Sequence, residues 1–121
     1  MSFTLIITAE PENREPHETA LAFAEAALAA AAGIHLVFFY HDAVRFASSG
    51  HTRGTDELLR AWRRFGQRNR VPLTLCSAAA TRRGIGPDDA GARLPPGFNY
   101  GGLVQLGSAM LECSRVIRFG P

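Results

Sequence analysis

The stretch Val71-Pro72-Leu73-Thr74-Leu75-Cys76-Ser77-Ala78-Ala79-Ala80-Thr81-Arg82-Arg83 joins an apolar run to a run of small residues that ends in two arginines. The apolar part predicts a short strand, Pro72 to Leu75, and the small residues predict a short helix that stops near Gly84. Cys76 therefore lies at a strand-to-helix junction. Backbone N–H groups at a helix start stabilise a thiolate, which is the nucleophilic form of cysteine. This position makes Cys76 the best candidate for chemistry, and we expect a thiol that solvent can reach.

Apolar runs and helical patterns alternate along the rest of the chain. Strands are predicted over Ser2 to Thr8, Ile34 to Tyr40 and Arg115 to Phe119, with a further brief strand around Phe98 to Tyr100. Helices are predicted from about His17 to Ala32, from a Thr55 cap to about Arg70, and from Leu103 to Glu112. This alternation predicts an α/β fold for residues 1–121: one domain, a three-layer α/β/α sandwich with a mainly parallel sheet of about five strands.

The composition excludes several kinds of chemistry. All thirteen basic residues are arginine, so the chain has no lysine for a Walker phosphate loop or a Schiff base. The two cysteines, Cys76 and Cys113, form neither a disulfide framework nor a zinc-binding spacing, which fits free thiols in a reducing compartment. No apolar stretch is long enough to span a bilayer. We therefore expect a soluble cytoplasmic protein without a metal, a cofactor or a membrane contact.

Charged and imidazole side chains are predicted to lie near the thiol. His41 and Asp42 follow the second strand, and the carboxyl ends of parallel strands share one edge of the sheet. They are candidates to supply a proton or a hydrogen bond, while Arg82 and Arg83 are candidates to offset thiolate charge. Each has a structural alternative: His41 and Asp42 as a loop pair at a strand end, and Cys76 itself as a buried packing thiol. Cys113, at the end of the last predicted helix, lacks these features and is predicted to be a packing residue.

An arginine cluster covers the end of the second predicted helix, and it consists of Arg60, Arg63, Arg64, Arg68 and Arg70. Cations at a helix C-terminus complement the macrodipole and stay solvated, which is the simpler explanation. A docking face for an acidic protein or for RNA is the alternative. Little aromatic interleaving and a net charge of only +2 argue against direct nucleic-acid binding.

Four blocks of the chain resemble the TusD/DsrE family of sulfurtransferase subunits, over nearly the whole length. The most specific block, Leu75 to Ile85, resembles the family's active-cysteine segment with its Cys-x-Ala-Ala-Ala-x-Arg-Arg-Gly core. Val37 to Val44 resembles the family's strand-and-loop signature, Gly102 to Leu106 the opening of the last helix, and Arg115 to Gly120 the closing strand. The resemblance identifies residues 1–121 as a single DsrE-like domain.

The resemblance implies a protein persulfide carrier. Cys76 would accept a persulfide sulfur and surrender it to an acceptor protein thiol, without a cofactor. Members of the family work in a heterohexamer, so the implied partners are TusB/TusC-like or DsrF/DsrH-like subunits, a TusA-like donor and a TusE/DsrC-like acceptor. In the TusD-like branch the sulfur goes toward 2-thiolation of the tRNA wobble uridine, which is the role we favour.

Two alternatives to this role stay open. A DsrE-like branch of the same family serves dissimilatory sulfur oxidation, and the sequence does not separate the branches. A non-catalytic structural or regulatory subunit of the same assembly, with an inert Cys76, is the other. A redox sensor that pairs Cys76 with Cys113 is a weaker third possibility.

Overall fold

The computed structural model describes all 121 residues, which form five strands, four α-helices and one 3-10 helix. The strands are β1 (Ser2–Ile7), β2 (Gly33–Phe39), β3 (Leu73–Cys76), β4 (Phe98–Gly101) and β5 (Arg115–Phe119). The helices are α1 (Arg14–Ala29), α2 (Arg53–Asn69), α3 (Ser77–Arg82) and α4 (Leu103–Glu112), and the 3-10 helix is His41–Ala47. None of the helices is long and apolar enough to cross a membrane.

The five strands form one sheet in the order β4-β3-β2-β1-β5, and every neighbouring pair is parallel. The chain moves from β1 to β4 in one direction along the sheet and then returns across it through α4 to β5. Right-handed crossovers therefore place α1 and α2 on one face and α4 on the other. The predicted α/β sandwich with a parallel five-stranded sheet is confirmed.

The core between the sheet and its first helical layer depends on small residues in α1 and large ones in α2. Ala20 and Ala24 of α1 are fully buried, and a methyl side chain lets the helix backbone lie close to the strands. Trp62 of α2 packs edge-to-face on Phe39 of β2, with ring centroids 5.2 Å apart. Burying such a side chain contributes about 1.5–3 kcal/mol, so this layer fixes the sheet on which β3 lies.

Several predicted boundaries are wrong by a few residues. Helix α1 begins at Arg14, and Pro16 lies in its first turn. Proline fits there because the backbone N–H groups of the first turn have no intrahelical partner. Thr52, and not Thr55, caps α2: its hydroxyl accepts the backbone N–H of Thr55 at 3.2 Å. The segment from His41, which lies outside every predicted strand and helix, forms the 3-10 helix because four of its residues enter the core: Ala43, Val44, Phe46 and Ala47.

His17 has a structural role that its sequence position did not predict. Its ring is fully buried, Nδ1 accepts the indole N–H of Trp62 at 3.1 Å, and Nε2 lies 2.9 Å from the Ala9 carbonyl oxygen. This geometry requires a neutral ring with the proton on Nε2. Burial lowers the pKa of His17, and the hydrogen bonds to the Ala9 and Glu10 carbonyls only partly oppose that effect.

Candidate functional site

Cys76 is the last residue of β3 and also the N-cap of α3. Strand β3 ends there because the residues that follow, Ser77 to Arg82, turn into a helix. The Sγ atom accepts the backbone N–H of Ala79 at 3.5 Å, which is the usual bond of a capping side chain. The predicted strand-to-helix junction is therefore present in the structure, with the sulfur at the start of the helix.

The expectation that solvent reaches this thiol is wrong for the isolated chain. Cys76 is 0% exposed and belongs to the main hydrophobic cluster, together with Val44 of the 3-10 helix and Ala80 of α3. Helix α3 packs against the 3-10 helix, and both follow the carboxyl ends of strands. The sequence pattern placed Cys76 at the correct edge of the sheet, but it could not show that the thiol is buried there.

The ladder beside Cys76 needs glycine at position 101. Cys76 pairs with Gly101 of β4, and the Gly101 carbonyl accepts the Ser77 hydroxyl at 3.2 Å. A Cβ atom at position 101 would lie 2.6 Å from the Thr74 methyl group and would collide with the Gln105 amide oxygen. The backbone of β4 therefore approaches Thr74 and Gln105 as closely as it does only because residue 101 has no side chain.

The predicted supporting residues divide into a bonded pair and two exposed side chains. Arg83 Nε donates to Asp42 Oδ1 at 3.0 Å, which joins α3 to the 3-10 helix. His41 stacks on Tyr40, with ring centroids 4.3 Å apart, and like Arg82 it is exposed. The only hydrogen bond to the Cys76 sulfur comes from backbone, so none of the four predicted side chains bonds to it.

Tyr100 is a residue near the site that sequence reasoning did not single out. It lies opposite Leu75 in the β3–β4 ladder, and its hydroxyl donates to the Ile85 carbonyl oxygen at 2.6 Å. Burial, and to a smaller degree the negative charge of Asp89, raise the pKa of Tyr100 above its usual value of 10.0. The phenol thus keeps its proton and holds the chain that leaves α3 against the sheet.

The remaining candidates from the sequence are Cys113 and the arginine cluster, and neither bonds to the Cys76 sulfur. Cys113 follows α4, is partly exposed and forms no disulfide. The arginines of the cluster on α2 take part in no ion pair within the chain. No group of three or more histidine, cysteine, aspartate or glutamate side chains is arranged to hold a metal ion.

Comparison with known proteins identifies the family. The sequence profile described as the DsrE/DsrF-like family matches residues 1–119. The chain belongs to this family. This match confirms the resemblance inferred from the active-cysteine segment, and it extends over almost the entire chain.

Curated relatives and one solved structure agree with this assignment. The chain is 38% identical to Sulfurtransferase TusD of Cronobacter sakazakii, covering 98% of this chain and 100% of that protein. Sulfurtransferase TusD of Pectobacterium carotovorum is also 38% identical, and that of Buchnera aphidicola 31%, over similar shares of both chains. The crystal structure of the ychN protein from E. coli has the same fold, with a TM-score of 0.67 at 22% identity, covering 98% of this chain and all of that one.

Proposed function

We propose that this DsrE-like chain, residues 1–121, is a TusD-like sulfurtransferase of a sulfur relay and that Cys76 carries the sulfur. One observation supports this most directly. The cysteine of the Cys-x-Ala-Ala-Ala-x-Arg-Arg-Gly segment stands at the carboxyl end of β3, an inner strand of the sheet, and its sulfur accepts a backbone N–H. Ligands of open parallel sheets gather at this edge. The full-length match to relatives named sulfurtransferase TusD supplies the reaction class.

The transfer proceeds as two thiolate displacements with no net oxidation. The Cys76 thiolate attacks the outer sulfur of a donor persulfide; a new S–S bond forms at Sγ, the donor's S–S bond breaks, and the donor leaves as a thiolate. An acceptor thiolate then attacks the outer sulfur of the Cys76 persulfide, and Cys76 leaves as a thiolate. No external oxidant, metal or cofactor enters either step. His41, Asp42, Arg82 and Arg83 support the site through its charge and shape, without touching the sulfur.

The burial of Cys76 requires that its cover opens before either displacement. The proposed cover is formed by the two short elements that contact β3, α3 with six residues and the 3-10 helix with seven. Short segments at a sheet edge are the ones that open locally, at a much lower free energy than global unfolding. A partner protein that binds this edge can supply that free energy.

The relay we propose is cytoplasmic and ends at the tRNA wobble uridine. The chain would sit in a heterohexamer with TusB/TusC-like subunits, receive sulfur from a TusA-like donor and give it to a TusE-like acceptor, without touching RNA itself. The DsrE-like alternative, with DsrF/DsrH-like subunits and a DsrC-like acceptor in sulfur oxidation, uses the same cysteine chemistry. Full burial of Cys76 favours one second candidate, a non-catalytic subunit of the same assembly.

Intact-mass measurement after incubation with a low-molecular-weight persulfide tests the proposal. We expect an adduct of about 32 Da, one sulfur atom, on Cys113→Ser, whose single cysteine is Cys76, and none on the double variant Cys76→Ser/Cys113→Ser. Peptide mapping should place the sulfur on Cys76. Wild-type protein that gains sulfur only on Cys113, or only after denaturation, would instead support the non-catalytic subunit.

A further inference from the structure

One arginine side chain bridges α3 and the 3-10 helix, the two short elements that contact β3 and each other. Arg83 Nε donates to Asp42 Oδ1 at 3.0 Å, and its Nη1 donates to the Ala79 carbonyl oxygen at 2.9 Å. Asp42 belongs to the first turn of the 3-10 helix, whereas Ala79 belongs to α3. The guanidinium therefore joins the cover's two halves with a charge-assisted bond on each side.

Ala79 connects this surface bridge to the buried sulfur. Its carbonyl oxygen accepts from Arg83, while its N–H donates to Cys76 Sγ. The side chains of the ion pair are partly exposed, 55% for Asp42 and 30% for Arg83, but Ala79 and Cys76 are both 0% exposed. A shift of the Arg83 side chain would therefore move Ala79 and, with it, the N–H that bonds to the thiol.

Helix α3 depends on such contacts to stay in place. Six residues are far too few for a helix that is stable by itself, so its position is decided by tertiary bonds. Ser77 fixes its start to the Gly101 carbonyl, and Tyr100 fixes the segment after it through the Ile85 carbonyl. Between these two anchors, the Asp42–Arg83 bridge is the only ion pair that joins α3 to the 3-10 helix.

We infer that the Asp42–Arg83 pair is a latch that keeps Cys76 covered and that sulfur enters and leaves while this latch is open. The inference rests on the proposed function of Cys76. It gives the two side chains a positioning role, in contrast to the roles predicted from the sequence, which were a proton or hydrogen bond from Asp42 and compensation of thiolate charge by Arg83. When the Asp42–Arg83 pair breaks, the 3-10 helix and α3 are free to separate at the end of β3.

Native-state labelling measures the latch directly. In a Cys113→Ser background, the rate at which N-ethylmaleimide modifies Cys76 reports how often the cover opens. We expect labelling to accelerate about threefold in Asp42→Asn, as for loss of one partly exposed ion pair. Arg83→Met also removes the bond to Ala79, so we expect about tenfold. The double variant should label no faster than Arg83→Met, because the latch is already broken there.

The signs of the two effects separate opening from simple electrostatics. Losing the negative charge of Asp42 would favour the thiolate, whereas losing the positive charge of Arg83 would disfavour it. Acceleration in both variants therefore shows opening. Acceleration in Asp42→Asn combined with slowing in Arg83→Met would overturn the latch, and so would independent effects that multiply in the double variant.

Arg45 provides a matched control on the same 3-10 helix. It pairs with Glu12 at 2.9 Å and with Glu10 at 3.4 Å and contacts no residue of α3 through these bonds. Arg45→Gln should leave the labelling rate of Cys76 unchanged. Equal acceleration in this variant, or a loss of global stability to urea that matches the labelling change, would also overturn the latch.

The labelling uses no sulfur donor, so it fails independently of the proposed function. Persulfide uptake by Cys76 with unchanged labelling in the latch variants would refute the latch and leave the carrier intact. Faster labelling without any sulfur uptake would refute the carrier and, with it, the role of the latch in transfer. If both hold, the rate of persulfide uptake should rise in the same variants, in the same order.

Discussion

The carboxyl end of β3 and the end of α4 each carry one cysteine, and the two differ in almost every respect. Cys76 is fully buried, and its sulfur accepts a backbone N–H. Cys113 is partly exposed, and its thiol lies 3.2 Å from the Arg115 carbonyl oxygen and 3.6 Å from that of Met110. One sulfur has a hydrogen-bond donor directed at it, whereas the other has only acceptors.

This difference shows that exposure alone is a poor guide to the functional thiol. The accessible Cys113 stands among carbonyl oxygens, which cannot stabilise a negative sulfur. Cys76 has the stabilising donor and the family's segment, but it lies beneath a cover. If the proposed function holds, selectivity in the relay comes from controlled opening, since a permanently exposed persulfide would lose its outer sulfur to small thiols in solution. The following predictions test the contrast between the two regions.

The largest effect concerns packing around each cysteine. Leu75, fully buried beside Cys76, should cost about 2–5 kcal/mol of unfolding free energy when changed to alanine, because a cavity remains in the core. Leu111, 89% exposed near Cys113, should change it by no more than about 0.5 kcal/mol in the same substitution. Urea denaturation of both variants measures this. Comparable losses would mean that α4 is buried in solution, for example in an oligomer.

The two thiols should also differ in reactivity with a neutral reagent. We expect native Cys113 to react on the order of a hundredfold faster than native Cys76, equivalent to about 3 kcal/mol for opening the cover. The single variants Cys76→Ser and Cys113→Ser allow each rate to be measured alone. In denaturant the two rates should converge. Equal rates in the native protein would contradict the burial of Cys76.

Two glycines extend the same contrast. Gly101→Ala, in the ladder beside Cys76, should destabilise the protein by about 1–3 kcal/mol, because the added methyl group meets Thr74 and Gln105. Gly107→Ala, inside α4, meets no atom within 4 Å and should stabilise the protein by about 0.5–1 kcal/mol through helix propensity. Thermal or urea unfolding gives both values. A neutral Gly101→Ala would show that β4 can shift away from β3.

The smallest effect is a pH dependence of the unfolding free energy, which we expect from the buried His17. The pKa of His17 is lowered from 6.5 by burial, so below pH 6.5 the unfolded state binds more protons than the native state. His17 should therefore make its full contribution to stability above pH 6.5. Below that pH the free energy of unfolding should fall, by up to about 1.4 kcal/mol per pH unit. Urea titrations at several pH values measure this slope.

Two histidine variants complete this experiment. His17→Gln should be less stable at neutral pH but should lack the slope below pH 6.5. His35→Gln, at an exposed position of β2, should keep it. An unchanged slope in His17→Gln would assign the pH dependence to other groups.

Much of the fold followed from local patterns. Helix α4 and strand β5 have the predicted bounds, because an apolar helical period and a β-rich run at the chain's end leave little ambiguity. The start of α1 was predicted at about His17, directly after Pro16, although proline fits the first turn of a helix and α1 begins at Arg14. The 3-10 helix was missed because its period is short and its burial depends on Phe46 meeting the rings of His17 and Phe98, which are far away in sequence.

The sequence by itself determined the strand-helix alternation, the family and the place of Cys76 at the edge of the sheet. The alternation follows from hydrophobic periodicity, and the family follows from the eleven contiguous residues Leu75 to Ile85. The place of Cys76 follows because the carboxyl ends of parallel strands lie at one edge of the sheet. Only the tertiary structure decided that Cys76 is covered, that Arg83 bridges Asp42 and Ala79, and that His17 bonds to Trp62. Each of these depends on side chains that are distant along the chain, and their contacts are set by packing, on which local pattern carries no information.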